Sequence, residues 1–367
     1  LIDAAKLQLR LQMRLLEHGY SLKDASAYNV QFMGAKPVFI DIPSIEIPPR
    51  LDVWVAYAQF CRMHLFPLLL WQYRKVESRG YYSTYIDGLD IEHVRDMFGW
   101  ACALRPALFV DVFLQCFLHR CSTGGFENKE KELMAPRETK ASSQMINLER
   151  LTRKLDRLSR RPPNSGHWRE YAEVNSYSSS ADEAKKAFVC RFVETHAPRS
   201  VLDLGCNTGV YSMIAASSGA RTVAVDSDHD CVDALYRKVR TGKAEILPLW
   251  MDIANMSPGL GFRNNERKSF LDRQDFDCVF AFALLHHLLV ASRIPLSEIR
   301  DLLADFTDKW LVVEYVDKED EMFQKLLNLR EDIYDDISKE HFENIFREKF
   351  DILEQLALPE TKRFLYV

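Results

Sequence analysis

The apolar positions of this chain follow two rhythms. Over residues 2–118 they recur mainly at three- and four-residue steps, the period of helices with one buried face; beyond residue 200 they gather into short runs separated by helical stretches, as in a sheet covered by helices. In the first part, residues 2–16 predict an amphipathic helix with Leu7, Leu11 and Leu15 on one face, ended by Gly19. Val30-Gln31-Phe32 and Val38-Phe39-Ile40 flank Gly34 and predict a hairpin. Residues 52–74 predict a long aromatic-rich helix with Trp54, Tyr57, Cys61, Leu65, Leu68 and Trp71, kinked at Pro67, which has no N–H to donate. Asp52, Arg62, His64 and Arg74 interrupt it, so it falls short of the ~20 apolar residues of a membrane span. Residues 91–118 continue helical, with a break at Pro106.

Residues 122–144 are polar and charged, with Gly124, Gly125 and Pro136, a composition that suits a linker or surface loop. Over 147–161, Leu148, Leu151, Leu155 and Leu158 form a narrow apolar stripe on an otherwise basic helix. Such a helix docks its stripe on a neighbour; the alternative is a basic face that meets a phosphate-bearing or nucleic-acid substrate. Pro162 and Pro163 close it. The expected organisation is a mostly helical region with a hairpin over 1–120, a linker and basic helix over 121–166, and an α/β domain over 167–367.

The second rhythm is organised around VLDLGCNTGVYSMIAASSGARTVAVDSD, residues 201–228. Residues 201–204 read as a buried strand. Gly205 and Gly209 allow a tight turn and a close approach of backbone to ligand. Residues 211–218 read as a helix stopped by Gly219, and 222–225 as a second strand ending at Asp226, 21 residues past Gly205. The G-C-N-T-G spacing departs from the G-x-G-x-x-G of dinucleotide-binding turns. Further strands are expected near 245–251, 277–282, 310–316, 350–356 and 361–367. Their alternation with helices implies a mainly parallel sheet, and the short PETK turn implies an antiparallel hairpin at the end.

DLGCNTG with an acidic end to the next strand resembles motif I of class I S-adenosylmethionine-dependent methyltransferases. ILPLWM before Asp252 resembles that family's third strand, FDCVFAFALLHHL its fourth strand and turn, KWLVVEYV its fifth and TKRFLYV its last, so the likeness covers roughly 168–367. The resemblance implies a Rossmann-like fold with a seven-stranded, mainly parallel sheet, S-adenosylmethionine as cofactor, no metal, and in-line methyl transfer to an O, N or S nucleophile. It also implies roles. Asp203 and Gly205 would face the methionine part, with Asn207 and Gly209 completing the turn. Asp226 and Ser227 would meet the ribose, and Asp252 and Ile253 the adenine edge. Ala281 and Phe282 would lie where the fourth strand passes the methionine, and Tyr177 in an aromatic lead-in that closes over the cofactor. A helix cap is the alternative for Asp226.

Ligands of open α/β sheets bind beyond the carboxyl ends of the strands, which singles out three further groups. His286 and His287 follow the fourth strand, and an imidazole titrating near neutrality suits a general base; orienting the turn is the alternative. Glu314 ends the fifth strand and is a third candidate for the chemistry. Glu266, Arg267 and Arg273, in an insertion over 257–274, resemble an ER-x-SF-x-x-R pattern of a bacterial subgroup of these enzymes that also carries KDASAYN. Two arginines there imply a small acceptor bearing a carboxylate or phosphate; a salt-bridged surface loop is the alternative.

Asp24, Asn29 and Asp41 resemble the catalytic loop and metal aspartate of aminoglycoside-phosphotransferase-like kinases. Leu22 stands where those kinases have a histidine, and no glycine-rich loop or strand lysine precedes it. This implies a relic of a kinase-like lobe; a structural hairpin with a polar turn is the plainer reading. Two rival functions follow: a protein with a phosphotransferase portion, and a non-catalytic S-adenosylmethionine-binding module.

Composition narrows the choice. At 367 residues the chain is long enough for two domains. A net charge of −5 argues against a dedicated nucleic-acid binder and leaves a small molecule as the expected partner. Eight cysteines without a C-x-x-C pair predict reduced thiols in a cytoplasmic protein. The chain starts inside a helical pattern, which leaves room for native residues before Leu1.

Overall fold

A computed structural model of the chain describes residues 1–122, 141–160, 179–273, 275–328, 330, 332–334 and 337–367. Its contacts divide it into two units, Leu1–Phe32 with Pro37–Pro162 and Met33–Lys36 with Pro163–Val367.

The first helix of the first unit, Ile2–Glu17, buries a different face from the one that Leu7, Leu11 and Leu15 mark. Ala5, Gln8, Leu9, Gln12 and Leu16 are inside, while Leu7, Leu11 and Leu15 are half-buried. The glutamines can go inside because they find polar partners. Gln8 Nε2 donates to the Ser26 carbonyl at 2.7 Å, and Gln12 Nε2 to Ser21 Oγ at 2.9 Å and to Gln144 Oε1 at 2.7 Å. The Leu22 N–H returns a bond to Gln12 Oε1 at 2.8 Å. Short strands β1 (Ser21–Leu22) and β4 (Ile45–Glu46) pair antiparallel, and β2 (Val30–Met33) and β3 (Lys36–Phe39) form the hairpin expected about Gly34.

The helical run continues through Pro67. The helix runs from Tyr57–Phe60 through a π turn at Cys61–Leu65 into Phe66–Arg74, with the Phe66 N–H bonded to the Cys61 carbonyl. The wide turn ends just before the proline, so the missing N–H falls where the ladder has already changed its spacing. The stripe of the Ser142–Ser159 helix docks: Leu148, Leu151 and Leu155 are fully buried in one core with Phe60, Phe66 and Val112, each worth about 1.5–3 kcal/mol relative to exposure. Two of its basic residues close on a buried acid. Arg150 Nη2 lies 2.7 Å from Asp111 Oδ1, and Lys154 pairs with the other oxygen. That helix falls within the first unit.

The second unit is built on one seven-stranded sheet: β5 (Ser200–Leu204), β6 (Arg221–Asp226), β7 (Ile246–Trp250), β8 (Cys278–Ala281), β9 (Trp310–Val316), β10 (Gln355–Ala357) and β11 (Arg363–Tyr366), in the order β10-β11-β9-β8-β5-β6-β7. β5 through β9 pair parallel, and β11 and β10 close the edge antiparallel. All five residues of β5 are buried, as expected of a strand covered on both faces. Its side chains alternate between two cores: Val201 packs with Phe188, Phe192, Phe280 and Val312, and Leu202 and Leu204 with Val279, Leu303, Phe306 and Phe342. β6 and β8 flank β5 on opposite sides, so the chain changes winding direction at β5. A crevice opens at the carboxyl ends of strands at such a switch point. Among the described residues, no helix is long and apolar enough to cross a membrane.

Candidate functional site

That crevice is a cavity of about 440 Å³ beyond the ends of β5, β6 and β8. Its floor is the glycine turn. Gly205 and Gly209 adopt φ of 73° and 79°, a region open to glycine at little cost. A Cβ on Gly209 would also stand 2.4 Å from Leu235 Cδ1. The Gly205 and Cys206 N–H groups both donate to the Val225 carbonyl, at 2.9 and 3.0 Å, which folds the turn back over β6. Between the glycines, Asn207 is itself left-handed at φ 49°, and its N–H donates to Asp226 Oδ2 at 2.7 Å. The Asp228 N–H donates to the other Asp226 oxygen at 2.8 Å. Asp226 is thereby fixed in orientation at the cavity edge, and burial pushes its carboxyl above the ordinary carboxylate range against the pull of those two N–H groups. It is not the helix cap: Asp228 accepts from the Asp230 and Cys231 N–H groups and starts the His229–Arg240 helix.

Asn207, Ser227, Asp252, Ile253, Phe282, His286 and His287 line the same cavity as Gly205 and Asp226. Asp252 Oδ1 accepts the Ala254 N–H at 2.9 Å, and Ile253 presents an apolar wall beside it. His286 is almost fully buried, its ring 4.3 Å from that of His287, and its Nδ1 has no hydrogen-bond partner among the described residues. His287 opens a further π turn, His287–Ala291, along the cavity wall. Burial drives both imidazoles below their ordinary pKa, reinforced at His286 by the charges of His287, Arg363 and Lys185, and at His287 by Arg363.

Several expected residues stand elsewhere. Asp203 does not line the cavity: it is 1% exposed, accepts Ser212 Oγ at 2.5 Å, and ties β5 to the Val210–Ser217 helix, with its carboxyl pushed up to about 6 by burial. Ala281 is sealed inside β8 in register with Leu204, and Gly209 shapes the turn from behind. Glu266, Arg267 and Arg273 do not reach the cavity. The Leu260 and Arg267 backbones bond to each other at 3.0 and 3.2 Å and close the insertion on itself; Arg273 Nε donates to the Lys268 carbonyl at 3.2 Å, and Glu266 packs over Gly261. Tyr177 lies outside the described residues.

Glu314 is inside, but not as a free base. It is fully buried, accepts Lys185 Nζ at 2.5 Å, and lies 3.6 Å from Arg363 Nη1. Arg363 in turn grips Asp320 with two bonds of 2.8 and 2.9 Å. Lys185 also stands 4.8 Å and 4.7 Å from the Tyr211 and Phe282 ring centres, within cation–π range. Lys185, Tyr211 and Arg363 line the cavity, and none of them was singled out from the sequence as a site residue. The signal was present at Lys185, a charge on the buried stripe of Ala181, Phe188, Val189 and Phe192 in the Ser179–His196 helix. Arg363 is the comparable anomaly in an otherwise apolar strand.

In the first unit, Asp24 Oδ1 accepts the Ser26 N–H and Asn29 Nδ2 donates to Asp41 Oδ2, both at 2.9 Å. These bonds knit the hairpin's base and add nothing to the kinase resemblance. Among the described residues, no group of three or more His, Cys, Asp or Glu is arranged to hold a metal.

A family model described as "Methyltransferase domain" matches residues 146–351. The nodulation protein NoeA of Rhizobium meliloti (strain 1021) is 33% identical over 365 residues, 99% of this chain and 76% of that protein. The chain belongs to the methyltransferase-domain family. A cypemycin N-terminal methyltransferase from a Streptomyces species is 50% identical over 50 residues, 13% of this chain and 20% of its own length. The crystal structure of the N-methyltransferase NodS from Bradyrhizobium japonicum WM9 with S-adenosyl-L-homocysteine aligns over 54% of this chain and 94% of its own, with 12% identity and a TM-score of 0.39. The chain is an S-adenosylmethionine-dependent methyltransferase, and its cavity offers groups of the kinds that cofactor takes: a glycine turn that allows close approach, an oriented carboxylate and an apolar wall.

Proposed function

We propose that this chain transfers the methyl group of S-adenosylmethionine in line to an oxygen, nitrogen or sulfur atom of a small molecule held beside His286 and His287. The cofactor supplies an electrophilic methyl on a sulfonium. The chain's own residues supply position and a proton acceptor. Asp226, with one N–H on each oxygen, keeps lone pairs for two ribose hydroxyls, and Asp252 and Ile253 offer a polar edge and an apolar face to the adenine. His286 and His287, held neutral by burial, can take the proton that an O–H, N–H or S–H acceptor sheds. The coincidence of the Asp226-anchored turn and a neutral histidine pair in one cavity carries this reading. An acidic group on the acceptor draws no support from Arg267 or Arg273, which do not line that cavity. The net charge of −5 supports a small molecule over nucleic acid, and free thiols at Cys61, Cys102, Cys116, Cys206, Cys231 and Cys278 support the cytoplasm as its place of action.

The test is incorporation of label from S-[methyl-³H]adenosylmethionine into the small-molecule fraction of a bacterial extract. The wild type should label a discrete product and His287→Ala should label it at least tenfold more slowly, with S-adenosylhomocysteine affinity unchanged. Equal labelling by the variant would remove the histidine from the reaction.

A further inference from the structure

Ala283 is the residue in the cavity wall that the backbone least tolerates. It follows β8 at φ 48°, left-handed although it carries a Cβ. Such a conformation is held only when its surroundings over-determine it, and it is concentrated at working sites. Here the holder is identifiable. The Ala283 N–H donates to Glu314 Oε2 at 3.1 Å, and the same oxygen accepts Lys185 Nζ at 2.5 Å. Glu314 comes from β9 and Lys185 from the Ser179–His196 helix, so two separate elements converge on one backbone N–H. The turn so held is not remote from the cofactor. Leu284 packs against the glycine turn, close enough that a Cβ on Gly205 would touch its Cδ1 at 3.5 Å, and the next residues are Leu285, His286 and His287.

We infer that Glu314 is a positioning residue: with Lys185 behind it, it clamps Ala283 in the left-handed conformation and thereby sets the turn over 282–287 against the cofactor's glycine turn. This deepens the proposed function and rests on its placement of the cofactor. A buried carboxylate suits the task because a charged acceptor bonds an N–H more strongly than a neutral one. Lys185 and Arg363 set two cationic side chains against that buried carboxylate. A clamp of this kind moves no proton and touches no substrate.

The clamp predicts a rescue. Glycine reaches φ > 0 without a holder. Glu314→Gln keeps the shape and removes the charge; in this variant, amide exchange over 279–292 should speed up at least tenfold and S-adenosylhomocysteine affinity, measured by calorimetry, should fall at least tenfold. Adding Ala283→Gly should restore the affinity to within about threefold of wild type while the melting temperature stays low, because the buried ion pair is still broken. If Glu314 only braces the sheet, the double variant will bind no better than Glu314→Gln, and the inference fails. It fails equally if Glu314→Gln binds as the wild type does with unchanged exchange. Should Glu314→Gln be too unstable to purify, Lys185→Met tests the same chain from its other end, with the same expected loss and the same rescue by Ala283→Gly. Absence of binding by the wild type would instead count against the cofactor assignment, and exchange over 279–292 would still report on the clamp.

Discussion

The core of the first unit and the cavity wall of the second contain the same ingredients and use them differently. Each has a π turn, a buried histidine and a buried ionic cluster. In the first, His64 lies within the Cys61–Leu65 turn, fully buried, 5.2 Å from the Phe60 ring, with neither ring nitrogen hydrogen-bonded among the described residues. Asp111 beside this core is held by Arg150 and Lys154. In the second, His286 precedes the His287–Ala291 turn, and Glu314 is held by Lys185 and Arg363. Burial and a lowered pKa are therefore poor guides to function by themselves. What marks the second is empty space next to an oriented carboxylate: His286 faces a cavity that Asp226 also lines, whereas His64 is fully buried against Phe60.

The sharpest way to break the comparison is to remove the acid of each cluster. Glu314→Ala takes the carboxylate away from Lys185, which is 2% exposed, and should cost about 3–5 kcal/mol in urea unfolding of the second unit. Asp111→Ala leaves partners that are 31% and 18% exposed and can turn toward water, so it should cost less, about 1–3 kcal/mol. Equal costs would mean that the two clusters are equivalent braces. Next in size is Asp226→Ala, which should weaken S-adenosylmethionine binding by about 1.5–3 kcal/mol in calorimetry, the scale of bonds to a charged acceptor, with no change in the first unit. Unchanged affinity in a folded variant would sink the ribose assignment.

His64 gives a pH signature. Burial lowers its pKa from 6.5 to about 3, so below pH 6.5 the unfolded chain binds a proton that the folded chain refuses. Stability should then fall with pH by up to about 1.4 kcal/mol per unit between those values. His64→Phe should flatten that slope in denaturant titrations at pH 4 to 7; an unaltered slope would show that His64 is not the group responsible. The smallest expected effect is Asp41→Asn. It alters one bond from Asn29 and should change stability by under about 1 kcal/mol, with methyl transfer intact. Loss of an ATP hydrolysis activity in this variant would revive the kinase-like reading.

By itself the sequence determined the parts that depend on local periodicity and on short backbone motifs. The seven strands, their alternation with helices and the turn from Gly205 to Gly209 are legible because a buried parallel strand must be apolar along its length and a left-handed turn selects glycine. The end of β6 at Asp226 is legible for the same reason. Tertiary structure decided which polar residues meet. Gln8 and Gln12 lie on the buried face of the first helix, in place of Leu7, Leu11 and Leu15, because partners distant in sequence satisfy their amides. Asp203 sank beneath the turn onto Ser212, and the arginine loop closed on itself through Leu260 and Arg267. Lys185, Glu314 and Arg363, spread over 179 residues, converge at one strand end. The free energy of a buried charge depends on the distance to its counter-charge in space, which apolar periodicity along the chain does not encode.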